Sequence, residues 1–262
     1  MEGPTALALL AGQVLAVGVL SWFAYHKGWL TASAAGVAFA LGAAIVLATN
    51  VLWLLVLVSL LAFTALATRF KYAEKVRRGT AEAKGGARRI RNVLANGLVA
   101  TAVAALTPLL AQLQGPVPWS HVAALTFVSA VAAASADTLA SELGSLSDKV
   151  YLITSWRRVP PGTDGGVSFA GQLAALMGAG LIALLGLVLL GVVSPRLWPG
   201  PALLLSPWTL AIPTFAGFVG CQVDSLLGAT LEIRGLVSKE EVNILGIASA
   251  TVLGFALGVM LS

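Results

Sequence analysis

The apolar positions of this chain fall in long uninterrupted runs, and its polar positions gather in the short stretches between them. A helix needs about 20 apolar residues to cross roughly 30 Å of hydrocarbon. The first run, about Pro4–Tyr25, has that length and is closed by His26 and Lys27. From Trp29 to Thr68 no charge occurs over forty residues. As one helix that stretch would be about 60 Å long at about 1.5 Å per residue, twice the hydrocarbon core, so it divides near Asn50 into two spans. A basic connector, residues 69–92, follows. Further spans are expected over about Val93–Leu113, Ser120–Leu146, Ser168–Val193, Pro207–Thr230 and Val242–Leu261. The pattern predicts an all-α, polytopic transmembrane helical bundle of eight spans, or seven if the 29–68 stretch is not divided.

Composition agrees with the pattern. The 262 residues are 58% hydrophobic and 10% charged, with a mean hydropathy of +0.92, whereas a soluble domain carries about 25% charged residues. The expected organisation is a single transmembrane domain, 1–262, with the 69–92 connector within it and no sizeable soluble domain. The first run lacks a preceding basic region, so it is expected to be a span and not a cleaved signal. The formal net charge is +5, and nine of the sixteen Lys and Arg residues lie between Arg69 and Arg91. Such a cluster suits anionic headgroups or phosphates, and no module for nucleic acid is present. With the connector placed in the cytoplasm and the spans alternating, fifteen Lys/Arg fall inside and only Arg196 outside, a strong positive-inside bias. The single cysteine, Cys221, excludes an internal disulfide and a cysteine-rich metal site. Small residues such as Gly178, Ala179 and Gly180 predict close helix packing.

The same placement puts ten of the eleven acidic residues on the inner side, six of them in three motifs: ASADTLASELGSLSD (134–148), PPGTDGGVS (160–168) and QVDSLLGATLE (222–232). Ionisable residues at membrane depth are expensive and mark function by default. In the first motif Asp137, Ser141, Gly144 and Asp148 form one helical stripe, and Thr138, Glu142 and Ser145 its neighbour. Asp137 and Asp148 are about 16 Å apart along such a helix, so Asp137 with Ser141 or Glu142 is the better near-neighbour set. Asp148 suits a solvated terminus paired to arginine. In the second motif Pro160–Pro161 stiffens the chain, and Gly162, Gly165 and Gly166 free the backbone to turn amides toward one point. Ser168 is placed to cap the next helix, whose N-terminus could cradle phosphate. In the third, Asp224 lies within a span, and Gly228 one turn on leaves room for a ligand or a second backbone; Glu232 suits a solvated helix end. The connector's Lys84-Gly85-Gly86-Ala87-Arg88-Arg89 combines cations and glycines just before a helix start, the parts of a polyphosphate clamp, while Lys71, Lys75, Arg77 and Arg78 suit anchoring on anionic lipid. His26 lies at a membrane edge and His121 on the external side, which disfavours Ser-His-Asp hydrolysis and zinc chemistry. Carboxylates that can hold Mg²⁺, with cations and amides for phosphates, are the components that phosphoryl transfer requires.

The ordered set KGGARR-x-RNVLANG, ADTLASELG, PPGTDGGVS, VDSLLGATLE and Val242-Asn243 resembles the integral-membrane family that contains plant phytyl-phosphate kinase and its archaeal, bacterial and animal relatives. The similarity runs from about residue 60 to the C-terminus. It implies transfer of a nucleotide's terminal phosphate, with CTP as donor and Mg²⁺ as cofactor, to an isoprenoid monophosphate such as phytyl or geranylgeranyl phosphate. Carried over by motif, Asp137, Glu142, Thr163, Asp164, Asp224, Ser225 and Asn243 are implied site residues, and Lys84, Gly85, Gly86 and Arg88 implied phosphate binders. Asp137 and Asp224, helped by Glu142, are then the expected metal holders, and the amides of 162–166 the grip on the phosphates. The alternatives are a CTP-dependent cytidylyltransferase making a CDP-lipid, and a transporter of a phospholipid or prenyl phosphate.

Overall fold

The computed structural model describes residues 4–81, 87–197 and 203–261. Its helices are α1 (Pro4–His26), α2 (Ala32–Ala48), α3 (Val51–Arg69), the short α4 (Tyr72–Arg78), α5 (Ile90–Leu110) and α6 (Trp119–Gly144). After a small sheet come α7 (Phe169–Gly186), which continues through π-helical turns at Leu187–Val193 into α8 (Ser194–Leu197), then α9 (Pro207–Leu227), which ends in π-helical Gly228–Glu232, and α10 (Lys239–Leu261). Among the described residues seven helices are long and apolar enough to cross a membrane. The eighth apolar helix, α2, has 17 residues, about 26 Å at about 1.5 Å per residue.

The uncharged 29–68 stretch does divide at Asn50. The Asn50 side-chain oxygen accepts from the Leu52 amide at 2.9 Å and so caps α3, while its Nδ2 donates to Ser194 Oγ at 3.4 Å. The turn is thereby tied to α8. Helix α5 starts three residues earlier than expected, because the Asn92 side chain folds back to accept from the Arg89 amide at 3.2 Å and starts the helix there.

Helix α6 is buried along nearly its whole length, whereas α1 is largely exposed at the periphery. The run from Ala130 to Ala136 explains this: side chains this small let α3, α5, α7, α9 and α10 all pack around one central helix. At Gly217 of α9 a Cβ would stand only 2.8 Å from Ala132 Cβ and 2.9 Å from the Ala132 carbonyl carbon, so backbone meets backbone there. Trp53 and Phe127, ring centroids 4.8 Å apart, fill the wider gap between α3 and α6. His121 is structural: its Nδ1 accepts from the Leu204 amide at 2.9 Å.

The loop between α6 and α7 adds something to the all-α expectation. Strands β1 (Val150–Leu152), β2 (Arg158–Val159) and β3 (Gly166–Val167) form an antiparallel sheet in the order β2-β1-β3, with Tyr151 opposite both Arg158 and Val167. The second acidic motif runs from the end of β2 through β3, so the sheet fixes where it lies. Ser168 then caps α7 as expected, accepting from the Gly171 amide at 3.1 Å.

The close crossing at Gly217 has a measurable consequence. Gly217→Val should lower thermal stability in detergent by about 1–3 kcal/mol, the cost of overpacking. Gly12→Ala on exposed α1, where a Cβ meets nothing within 4 Å, should leave stability unchanged or slightly raised.

Candidate functional site

Asp137 lies two turns before the end of α6, and Asp224 one turn before the end of α9. What places Asp224 is the crossing of α9 with α10. A Cβ on Gly220 would stand 2.8 Å from the Gly246 carbonyl oxygen, and one on Gly246 3.1 Å from Asp224 Cβ. The two backbones therefore touch, and Asp224 is brought against Asn243 of α10. The Asn243 amide, oriented to donate, reaches Asp224 Oδ2 and the Lys239 carbonyl oxygen at 3.1 Å each. Asp137 faces Asp224 within hydrogen-bonding reach; Lys239 acts on both carboxylates and Arg88 on Asp137.

The pair lines a polar cavity of about 410 Å³. The first motif contributes Asp137, Thr138, Ser141 and Glu142, the third Asp224, Ser225 and Gly228, and α10 adds Lys239 and Asn243. The second motif forms a roof from Gly162 to Gly166. Gly165 has φ +71°, and a Cβ there would stand 2.4 Å from Ala229 Cβ. Only glycine satisfies both the left-handed backbone and that approach. The room expected beside Gly228 is thus filled by a second backbone, that of Gly165, whose N lies 3.0 Å from the point a Gly228 Cβ would take. Within the roof, the Thr163 amide donates to the Pro160 carbonyl at 3.3 Å and the Gly166 amide to the Thr163 carbonyl at 2.9 Å. Those two amides hold the turn and are not free for the phosphate grip expected of 162–166. The Thr163 hydroxyl likewise donates to the Pro160 carbonyl, at 2.8 Å.

Glu142 departs from expectation. It borders the cavity, but its carboxylate belongs to a buried network. Lys75 Nζ donates to Glu142 Oε2 at 2.7 Å and to the Ala67 carbonyl at 2.6 Å. The Thr68 hydroxyl donates to Glu142 Oε1, and Arg88 reaches the same oxygen at 3.3 Å and the Thr68 hydroxyl at 3.2 Å. With its oxygens so engaged Glu142 does not join Asp137 and Asp224, and among the described residues no group of three His, Cys, Asp or Glu side chains is arranged to hold a metal. The trio expected to hold a metal is therefore not assembled, and Asp137 and Asp224 stand together without Glu142. Lys75, expected to anchor on lipid, is instead fully buried. The signal for it was indirect: a glutamate inside a span requires a cation, and the connector is the dense source of cations.

Arg88 is held from both ends. Its backbone pairs with the 29–31 turn, the amide donating to the Trp29 carbonyl at 2.8 Å and the carbonyl accepting from the Thr31 amide at 3.1 Å. Its side chain points into the cavity wall beside Glu142. Lys84, Gly85 and Gly86 lie outside the described residues. Asp164 is on the cavity wall. Asp148 stands away from the cavity and pairs with Arg78 at 2.8 Å, exposed to solvent. Asn92, Asn96 and Lys239 also line the cavity and were not singled out; Asn92 and Asn96 sit one helical turn apart on α5, a spacing legible only once α5 is known to face α6.

Residues 15–256 match the family described as integral membrane protein DUF92. An uncharacterized membrane protein of Methanocaldococcus jannaschii is 35% identical over 175 residues, 66% of this chain and 62% of that protein. One of Synechocystis is 35% identical over 166 residues, 63% of this chain and 57% of that one. Protein VTE6, chloroplastic, of Arabidopsis thaliana is 26% identical over 227 residues, 85% of this chain and 63% of that protein. In each case the matched part spans less than two thirds of the relative's length. No solved structure matches the chain.

The Lys75–Glu142 pair makes a stability prediction. Lys75→Met or Glu142→Gln alone leaves a buried charge or polar group without its partner and should cost about 3–5 kcal/mol, whereas the double variant should lose clearly less than the sum. Thermal unfolding of the four proteins in detergent measures the coupling; strict additivity would refute it.

Proposed function

The chain belongs to the integral membrane protein family DUF92, and from that premise we propose that it is a membrane-embedded kinase. It transfers the terminal phosphate of a nucleoside triphosphate, CTP by the motif resemblance, to an isoprenoid monophosphate such as phytyl or geranylgeranyl phosphate. The observation that carries the reading is the meeting of Asp137 and Asp224 in one polar cavity with Arg88 and Lys239 beside them. The similarity to the chloroplast protein VTE6 along 85% of this chain supports it. The cavity opens, in this reading, to the cytoplasm, the side that the positive-inside bias assigns to the connector.

The reaction needs little covalent help from the protein. An oxygen of the acceptor monophosphate, already ionised, attacks the terminal phosphorus. The bond from that phosphorus to the bridging oxygen breaks, and the nucleoside diphosphate leaves with the electron pair. No strong general base is required, so positioning and charge neutralisation dominate. Arg88, braced by Glu142 and Thr68, is the cation that would neutralise phosphate oxygens. The 162–166 roof, clamped on α9 by Gly165, limits water around the transferred group. Two adjoining carboxylates with Asn243 fixing one of them suit a single Mg²⁺ held by one or two carboxylates and completed by water and phosphate oxygens. Bound there, Mg²⁺ would supply charge neutralisation between the donor phosphates.

Purified protein given geranylgeranyl or phytyl phosphate, CTP and Mg²⁺ should release CDP and form the prenyl diphosphate. Pyrophosphate with a CDP-lipid would indicate a cytidylyltransferase instead, and no product with any isoprenoid or nucleotide would count against catalysis. Asp137→Asn and Asp224→Asn should each reduce turnover by about 10²-fold or more, the scale of losing one electrostatic contact to the transition state. Asp148→Asn should change turnover little, since exposed ion pairs contribute about 0–1 kcal/mol. Equal losses in all three would contradict the assignment.

A further inference from the structure

A second cavity, of about 330 Å³, lies between α1, α2, α3 and α5. Its wall is almost wholly apolar, with Val17, Leu20, Leu41, Leu57 and Leu61 among its residues, except at one end. That end is formed by Arg88, Asn92 and Asn96, and these same three residues line the polar cavity as well. Asn96 also borders the narrow gap that contains Asp137, Asp224 and Asn243. The start of α5, with Asn92 and Asn96 on it and Arg88 just before it, therefore separates an apolar slot from the acidic pair.

We propose that the apolar cavity holds the hydrocarbon tail of the acceptor, and that Arg88, Asn92 and Asn96 seat its phosphate. The proposal rests on the kinase reading and names the acceptor's subsite within it. The argument is one of matched chemistry. An isoprenoid monophosphate is an anionic head on an apolar chain, and the two cavities present an amide- and guanidinium-lined junction at the mouth of an apolar slot. A free phosphate or a nucleotide would have no use for the slot, and a hydrocarbon without a charged head would have none for the junction. Amide donors from Asn92 and Asn96, with the Arg88 guanidinium, provide charge-assisted hydrogen bonds to phosphate. Between Leu54 and Thr64 on α3, both on the wall, the slot extends about 15 Å along the helix axis. The seat leaves the phosphate on the side of α5 that faces Asp137 and Asp224, where the donor's terminal phosphate is in reach.

The test uses the purified full chain and geranylgeranyl phosphate carrying a photoreactive diazirine at the far end of its tail. Labelling should fall on peptides of α1, α2, α3 or α5 and be competed by unlabelled geranylgeranyl phosphate. Labelling confined to other helices, or competed equally by a diacyl phosphatidic acid, overturns the proposal whether or not the protein proves to be a kinase. If turnover is found, Ala62→Phe, which fills the slot, should raise KM for geranylgeranyl phosphate by about 10-fold or more while changing KM for dimethylallyl phosphate little, the discrimination expected of an apolar pocket. Asn96→Ala should raise KM for both. An Ala62→Phe effect equal for both acceptors would overturn the tail assignment while leaving the kinase reading standing.

Discussion

A charge inside the hydrocarbon of a membrane is tolerated only when another group or a watered cavity answers it, and the half of this bundle that holds the acidic residues is arranged around that requirement. Two answers stand side by side. Glu142 is answered by protein: Lys75, Thr68 and Arg88 satisfy its oxygens in a closed, buried network. Asp137 and Asp224 are answered by a cavity: they lie side by side on the wall of a polar space that a ligand can enter. Arg88 belongs to both, since it touches Glu142 and lines the cavity. The closed network thus fixes a cation that lines the open cavity.

Small residues make this arrangement possible. Lipid tails are as apolar as leucine, so close backbone contact and not hydrophobic burial holds membrane helices together. The alanine-rich α6 can be surrounded by five neighbours, and the Gly220–Gly246 contact lays α9 directly on α10. That contact turns Asp224 toward Asn243 rather than toward lipid. The Gly165–Ala229 contact then seats the β-sheet loop over the same end of α9. Packing geometry and site geometry are here one set of contacts.

The span pattern was legible because its cause is local: hydrocarbon thickness sets run length, and the break at Asn50 follows from a forty-residue stretch too long for one crossing. The convergence of the 134–148, 160–168 and 222–232 motifs was also legible, since acids within spans leave few places to go. What escaped the sequence is the pairing of particular charges. Glu142 sits one turn and a residue beyond Asp137, and nothing local distinguishes the carboxylate that finds Lys75 from the one that finds Asp224; the position of α4 decides it. The β1–β3 sheet was hidden because its strands are two or three residues long, too short for a period-two pattern. Asn92 and Asn96 stood in the RNVLANG motif without a role of their own, because what they face is set by how α5 packs against α2, α3 and α6.

The account comes down to whether the C-terminal ends of α6 and α9, with the loop from α6 to α7 above them, enclose a site for a triphosphate. An experimental structure determined with a non-hydrolysable CTP analogue, Mg²⁺ and a prenyl phosphate tests this most directly. The account predicts the triphosphate against the Asp137–Asp224 pair, under the 162–166 loop and beside Arg88. Nucleotide bound elsewhere, or the two aspartates turned away from each other in the bound protein, would contradict it.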